Sequence, residues 1–305
     1  MNDGLTLVTG GNGFLGKNLR DTSPRGEVVF PRRVEMDLLD EHSVRDWFDV
    51  HRPARVIHAA GTVGGIGFHR ANPARMISEN LRMGLNVLES AAQFGCAVTL
   101  ISTACAYPVD APIPTPEGCM TEGDPGEDTR PYGIAKRTLH TLCEALHVEK
   151  GMDYTILVPT NMYGAHDHFG EDRSHVVPAL IRRAHESKLR GDSELVVWGD
   201  GTATRDLLDV RDASEAIWRV GLDAPANDLF NLSSGRETSI RELAETICEV
   251  VGFAGSLVFD PSKPAGAPRR CLDGSRLRTR YQLPEARDLR LGLADAYAWY
   301  LTQLG

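Results

Sequence analysis

The chain has 305 residues, of which 42% are hydrophobic and 25% charged, and its net charge is −9. That length suits one large domain or two coupled ones with an ample core. The acidic balance argues against a nucleic-acid partner, which demands a basic face, and no stretch approaches the roughly 20 apolar residues that span a bilayer.

In chain order, residues 5–9 read as a buried strand, followed by a glycine loop that opens a helix at Phe14, Leu15 and Gly16. Residues 28–30 form a second strand, 42–50 a helix, and 55–59 (RVIHA) a third buried strand. Residues 73–94 form a long helix, with apolar Met76, Ile77, Leu81, Leu85 and Leu88 near helical spacing. Residues 97–102 (AVTLIS) are another strand, and the Pro-, Gly- and Asp-rich stretch 108–128 is a loop. Helix resumes over 132–150, and a strand over 154–158 is ended by Pro159. Beyond it the alternation loosens into helices near 176–188, 212–222, 239–251 and 288–301. Strands alternating with helices imply an α/β fold, a Rossmann-type doubly wound parallel sheet with a smaller C-terminal α/β domain. We expect the dinucleotide-binding half over 1–160 plus about 206–232, and the substrate-binding half over 161–205 and 233–305.

Six cysteines, at 96, 105, 119, 143, 248 and 271, form no CxxC pair, and no histidine cluster completes a metal pattern. We expect reduced thiols, no metal and a cytoplasmic protein. Asn2 and Asp3 lead into a short strand, which does not read as a signal peptide. The string AHDHFGED at 165–172 reads as a flexible loop near substrate, since its spacing lacks a ligand set.

Two motifs carry chemistry. The loop TGGNGFLG at 9–16 has Gly10, Gly13 and Gly16 in GxxGxxG spacing, with Gly11 and Asn12 between them. Following a strand and opening a helix, it suits a pyrophosphate held on helix N–H groups. At the end of the second strand stand Arg32 and Arg33, with no acid before Glu35. An acid there would bind the ribose hydroxyls of NAD, whereas arginines suit the 2′-phosphate of NADP, so we expect NADP(H). Asp37, with Leu38 after it, is placed to face the adenine.

Tyr132 and Lys136 form YxxxK at a helix start, and their spacing puts both on one face. A lysine cation beside a phenol favours proton exchange with a carbonyl oxygen while hydride moves. Thr103, at the end of the strand 97–102, can hydrogen-bond the same oxygen. This ordered set, with HAAG at 58–61, resembles the extended short-chain dehydrogenase/reductase superfamily.

Further strings narrow the resemblance. They are TVGGIG at 62–67, STACAYP at 102–108, PYGIAK at 131–136, VPTNMYG at 158–164 and SHVVPALIRRAHE at 174–186. Downstream lie VVWGDGTATRDLLDV at 196–210, NLSSGRETSIREL at 231–243 and SKPAGAPRRCLD at 262–273. Together they resemble the GDP-L-fucose synthase family over nearly the whole chain. The resemblance implies a 3,5-epimerase/4-reductase acting on a GDP-linked keto-sugar, with Cys105 and His175 as the base and acid of epimerisation. It implies cofactor contacts at Ala59, Ala60, Ile101, Ser102, Thr103, Tyr132, Lys136, Pro159, Thr160, Asn161, Met162 and His175. It implies substrate contacts at Asn161, Val176, Leu180, Arg183, Trp198, Arg205 and Arg270, and a homodimer paired through the helices near 73–94 and 132–150. The sequence departs from the family at Thr62, where a lysine is usual, and at Ala265, where an aspartate is usual. These departures leave open a sibling enzyme acting on another keto-sugar. A non-enzymatic NADP-binding regulator would have no need of Tyr132, Lys136, Cys105 and His175.

Overall fold

Strands β1 (Thr6–Thr9), β2 (Val28–Val29), β3 (Arg55–His58), β4 (Ala97–Ile101) and β5 (Tyr154–Pro159) lie parallel in one sheet of order β2-β1-β3-β4-β5. The computed structural model describes residues 4–170, 174–263 and 266–304. Successive residues of a strand point to opposite faces, and both faces of this sheet are apolar. Leu7, Val56, Leu100 and Ile156 enter one core, while Val8, Ile57, Ile101 and Leu157 enter the other. This double burial explains why the strands read as continuous hydrophobic runs rather than alternating ones.

The first core is closed by helices α2 (Glu41–His51), α4 (Pro73–Phe94) and α5 (Arg130–Lys150), which supply Phe48, Leu88 and Leu139. A short helix, α3 (Ile66–Ala71), precedes α4. The second core is closed by α1 (Phe14–Asp21) and α7 (Val210–Leu222), through Leu19, Ile217 and Trp218. Trp218 Nε1 donates to the Leu19 carbonyl at 3.1 Å, tying the two helices together. A sixth parallel strand, β9 (Asp228–Leu232), extends the sheet beside β5.

The remaining chain builds a second α/β unit. Its core gathers Leu180 and Ile181 from α6 (Val176–Arg190), Leu243 and Ile247 from α8 (Ile240–Val251), and Leu293 and Tyr300 from α10 (Leu289–Thr302). Two small sheets join it. One orders β10 (Glu237–Ser239), β8 (Thr204–Asp209) and β6 (Asn161–Tyr163), and the other pairs β11 (Ser256–Asp260) with β7 (Glu194–Trp198). Helix α9 (Ser275–Tyr281) packs Leu277 and Tyr281 back onto the second core of the large sheet.

Several expectations needed correction. The second strand stops at Val29, one residue short, and Pro159 lies inside β5 rather than beyond it. Pro159 is the last residue of β5 and lies past the end of its pairing with β4, which stops at Leu157, so on that side its missing N–H breaks no ladder bond. Among the described residues, the segment after 160 holds six strands where loosened alternation was expected. Most are 3 to 5 residues long and several pair far along the chain, so short-range periodicity carries little trace of them.

Candidate active site

The glycine loop joins β1 to α1 at the point where the strand order reverses between β1 and β3, the position at which open α/β sheets bind ligands. A Cβ on Gly16 would lie 2.1 Å from the Gly10 carbonyl oxygen, so only glycine lets α1 start this close to the loop. Gly13 precedes the first turn of α1 with no side-chain cap, which leaves the leading N–H groups of that helix for an anion. Ala59 and Ala60 follow β3 on the opposite side, and the Ala60 N–H donates to Thr9 Oγ1 at 3.2 Å. This uncapped, glycine-opened cradle fits a dinucleotide pyrophosphate. Arg32 and Arg33 stand exposed beside it, Arg32 paired with Glu35 at 3.3 Å and Arg33 with Asp37 at 3.1 Å. Leu38 lies next to them, its carbonyl accepting from Asn86 Nδ2 at 2.9 Å.

Tyr132 and Lys136 sit in the first turns of α5, both buried. The Lys136 ammonium donates to the Ile101 carbonyl at 2.8 Å and lies 6.0 Å from the Tyr132 ring centroid. Burial pushes Lys136 down to about 8. The Tyr132 phenol is raised, chiefly by burial and then by the nearby Cys105 thiol, while the Thr103 hydroxyl draws it back. Thr103 opens a single 3₁₀ turn, Ala104–Ala106, accepting from the Cys105 N–H at 3.2 Å. The Cys105 backbone packs against the start of α5 so closely that a Cβ on Gly133 would lie 2.4 Å from its carbonyl oxygen. The glycine of PYG is therefore what lets tyrosine and cysteine meet. Tyr132, Phe68 and Met76 form a small buried cluster with Cys105 packed on its edge.

The second unit supplies cations. Arg270 Nη1 lies 3.5 Å from Cys105 Sγ, across 165 residues of chain. Arg205, half-buried on β8, donates to the Ala267 carbonyl at 2.7 Å and is pushed down to about 10 by burial and by the Arg270 charge. The 270 segment is held there by Asn231 of β9, which is fully buried. Its amide donates to the Thr115 carbonyl at 2.9 Å and the Asp273 carbonyl at 3.1 Å, and it accepts from the Tyr107 hydroxyl at 2.6 Å. Thr160 and Asn161 both donate to the Asp206 carbonyl, at 3.1 and 3.2 Å. Met162 packs on the second core of the large sheet.

His175 caps the start of α6 with an exposed ring. Its charge, after burial, helps hold the His69 imidazole below its ordinary value, and the His69 ring lies 5.5 Å from that of Tyr132. Val176 is half-buried against the second unit's core, and Leu180 is inside that core with 4% exposure. Arg183 donates to the Val196 carbonyl of β7, and Trp198, at the end of β7, stays 55% exposed. Cys105, Thr103, Tyr132, Lys136 and Arg270 thus converge directly, whereas Arg183 and Trp198 form a group of their own on the α6–β7 edge.

Three neighbours of these groups went unread in the sequence. His69 has only its place after VGGIG to signal it. His140, one turn beyond Lys136 on α5, lies 2.6 Å from Ser102 Oγ and is held down to about 3 by burial and the Lys136 charge. Asp167 lay inside the string read as a flexible loop. Residues 165–170 are instead anchored, with His166 2.7 Å from Asp21 of α1 and Phe169 stacked 4.7 Å from Tyr300 of α10. Residues 171–173 and Ala265 lie outside the described residues. Among those described, no three His, Cys, Asp or Glu side chains converge as a metal site, and no helix is long and apolar enough to cross a membrane.

A parallel sheet with an uncapped glycine-opened helix, and a Tyr–Lys pair at the end of β4, defines the Rossmann-type oxidoreductases and epimerases. The sequence profile of the NAD dependent epimerase/dehydratase family matches residues 6–233. GDP-L-fucose synthase 1 of Arabidopsis thaliana is 38% identical over 299 residues, 97% of this chain and 92% of its own. The GDP-L-fucose synthase of Escherichia coli K12 is 37% identical over 311 residues, 97% of this chain and 96% of its own. The crystal structure of a GDP-L-fucose synthetase from Naegleria fowleri bound to NADP superimposes with a TM-score of 0.91 at 27% identity, covering 100% of this chain and 94% of that one. The chain belongs to the NAD dependent epimerase/dehydratase family and, within it, to the GDP-L-fucose synthases.

Proposed function

We propose that this protein converts GDP-4-keto-6-deoxy-D-mannose to GDP-L-fucose with NADPH, epimerising C3 and C5 and then reducing C4. The observation that carries the reading is the meeting of two kinds of proton-transfer group in one pocket: a thiol, Cys105, packed against a phenol–lysine pair, Tyr132 and Lys136. A simple reductase needs only the second.

The 4-ketone acidifies the hydrogens on C3 and C5. Cys105 removes one of them as base, and the electrons of the broken C–H bond pass to the ketone oxygen. Tyr132 and Thr103 hold that enolate oxygen, and His175 delivers a proton to the opposite face of the carbon. Arg270 stands beside the sulfur, its Nη1 3.5 Å from Cys105 Sγ. Arg205, Arg183, Asn161, Val176, Leu180 and Trp198 are assigned to the side of the nucleotide sugar. The nicotinamide supplies hydride to C4 when bound. Tyr132 then protonates O4, and Lys136 keeps the phenol poised by its charge. Incubating the protein with NADPH and the keto-sugar in heavy water tests the whole reading. The expected product carries deuterium at C3 and C5, and reduction without deuterium at either carbon would leave only a 4-ketoreductase.

NADPH should bind at least about tenfold tighter than NADH. Arg32 and Arg33 are engaged only in exposed pairs, worth about 0–1 kcal/mol each, so exchanging Glu35 and Asp37 for a 2′-phosphate costs little. Titration with both cofactors reads this directly, and equal affinities would remove the argument. We assign residues 1–160 and 206–232 to the cofactor and 161–205 and 233–305 to the sugar. We also assign a homodimer through the outer faces of α4 and α5, where Ile77, Leu85 and Ile134 remain half-buried. Light scattering at micromolar concentration should give twice the chain mass.

A further inference from the structure

We propose that Asp167 is a positioning residue for His175: its carboxylate accepts the Nδ1–H of the imidazole and so turns Nε2 toward the sugar. This rests on the reading of His175 as the acid of epimerisation.

The carboxylate is built into the fold. Its side chain is 3% exposed, against 45% for His175, and Oδ1 lies 4.0 Å from His175 Nδ1. Oδ1 also accepts the His168 N–H at 2.7 Å, while Oδ2 is buried with no hydrogen-bond partner. A buried carboxylate oxygen without a partner is costly unless something compensates it. Among the described residues, His175 is the side chain able to carry positive charge that lies within 4.0 Å.

The two partners differ in freedom. Asp167 is fixed on both sides. His166 turns the chain with φ 64°, places Nε2 2.7 Å from Asp21 and packs its ring 5.1 Å from Trp299. Phe169 stacks on Trp299 and Tyr300, at 5.8 and 4.7 Å. His175 is half in solvent at the head of α6. At 4.0 Å the pair is beyond hydrogen-bond length, and the exposed ring, not the anchored carboxylate, is the partner left to close the gap. The buried His69 is close enough to feel the His175 charge and offers no negative charge in competition.

The chemistry explains why a carboxylate belongs there. A neutral imidazole carries its proton on one nitrogen only, and the group that the other ring position meets decides which one. With Nδ1–H on Asp167, the imidazolium gives its Nε2 proton to the enolate carbon. The C–H bond forms, the N–H bond breaks and its electron pair stays on Nε2. The ring is left as the Nδ1–H tautomer and regains a proton from solvent, which its exposure allows. The same division of labour holds a histidine in serine-protease triads.

The test uses Asp167→Asn in the full chain. The amide can donate to Nδ1 and so favours the opposite tautomer. Ring ¹⁵N shifts of His175, assigned with His175→Gln, should show Nδ1–H in the wild type and Nε2–H in the variant. Deuterium uptake at C3 and C5 and kcat should fall at least about tenfold, with KM within about twofold and partial rescue by Asp167→Glu. Unchanged tautomer and unchanged exchange in Asp167→Asn would overturn the proposal. Should that variant not fold, a wild-type spectrum dominated by Nε2–H overturns it alone. Wild-type protein that incorporates no deuterium would sink the epimerase reading instead, while its ¹⁵N spectrum would still report on the pairing.

Discussion

Tyr132→Phe is expected to abolish reduction of the keto-sugar while NADPH binding stays within about twofold. The ring packs in a closed cluster with Phe68 and Met76, so phenylalanine keeps the contacts and the variant loses only the hydroxyl. That hydroxyl is the proton donor to O4, and positioned general acids contribute roughly 10²–10⁴-fold. The pyrophosphate cradle on α1 lies on a different element and should not sense the change. Wild-type reduction should also decline as pH rises through about 8. Burial has brought Lys136 down to about 8, so its cation is present below that pH and lost above it, and the field that keeps the phenol poised goes with it. Stopped-flow NADPH oxidation with fluorescence titration separates the two effects. A variant that keeps most of its turnover would remove Tyr132 from the chemistry.

Cys105→Ser should suppress hydrogen exchange at C3 and C5 by roughly a hundredfold or more. A free thiol ionises at about pH 8.5, whereas an alcohol stays protonated far above neutrality, so the variant lacks a base of useful strength. The substitution is nearly isosteric, and the 3₁₀ turn with its Thr103 cap should survive. Tyr132, Lys136 and Thr103 remain, so slow reduction of the unepimerised ketone should give a product with the original C3 and C5 configuration. Mass spectrometry and NMR of the product formed in heavy water distinguish the outcomes. Full deuterium incorporation by Cys105→Ser would move the base elsewhere in the pocket, with His69 and His175 the next groups to test.

Much of this protein is legible in its residues alone, for a physical reason in each case. Strands buried on both faces must be continuous apolar runs, so RVIHA and AVTLIS announce themselves. Tight backbone approach admits only glycine, so the loop at 9–16 marks contacts that a Cβ would block, whereas the close approach at Gly133 in PYG is shown by the structure alone. A helix repeats every 3.6 residues, so YxxxK fixes Tyr132 and Lys136 on one face before any coordinates are known.

What the tertiary structure alone decided are the pairings between distant segments. Arg270 meets Cys105 because the 270 segment is tied down from distant parts of the chain, by Asn231 of β9, by the Asp206 N–H on the Arg270 carbonyl and by the Thr115 N–H on the Cys271 carbonyl. Asp167 is buried between His166 and Phe169, which grip α1 and α10, whereas its own string reads as a flexible loop near substrate. The strands after residue 160 find partners such as Glu237 opposite Asp206, which no short window contains. Local pattern reports which face of an element is apolar, because that depends on neighbours in the chain. Which charge comes to lie beside which thiol or imidazole depends on how separate elements close over one another, and only the assembled fold carries that.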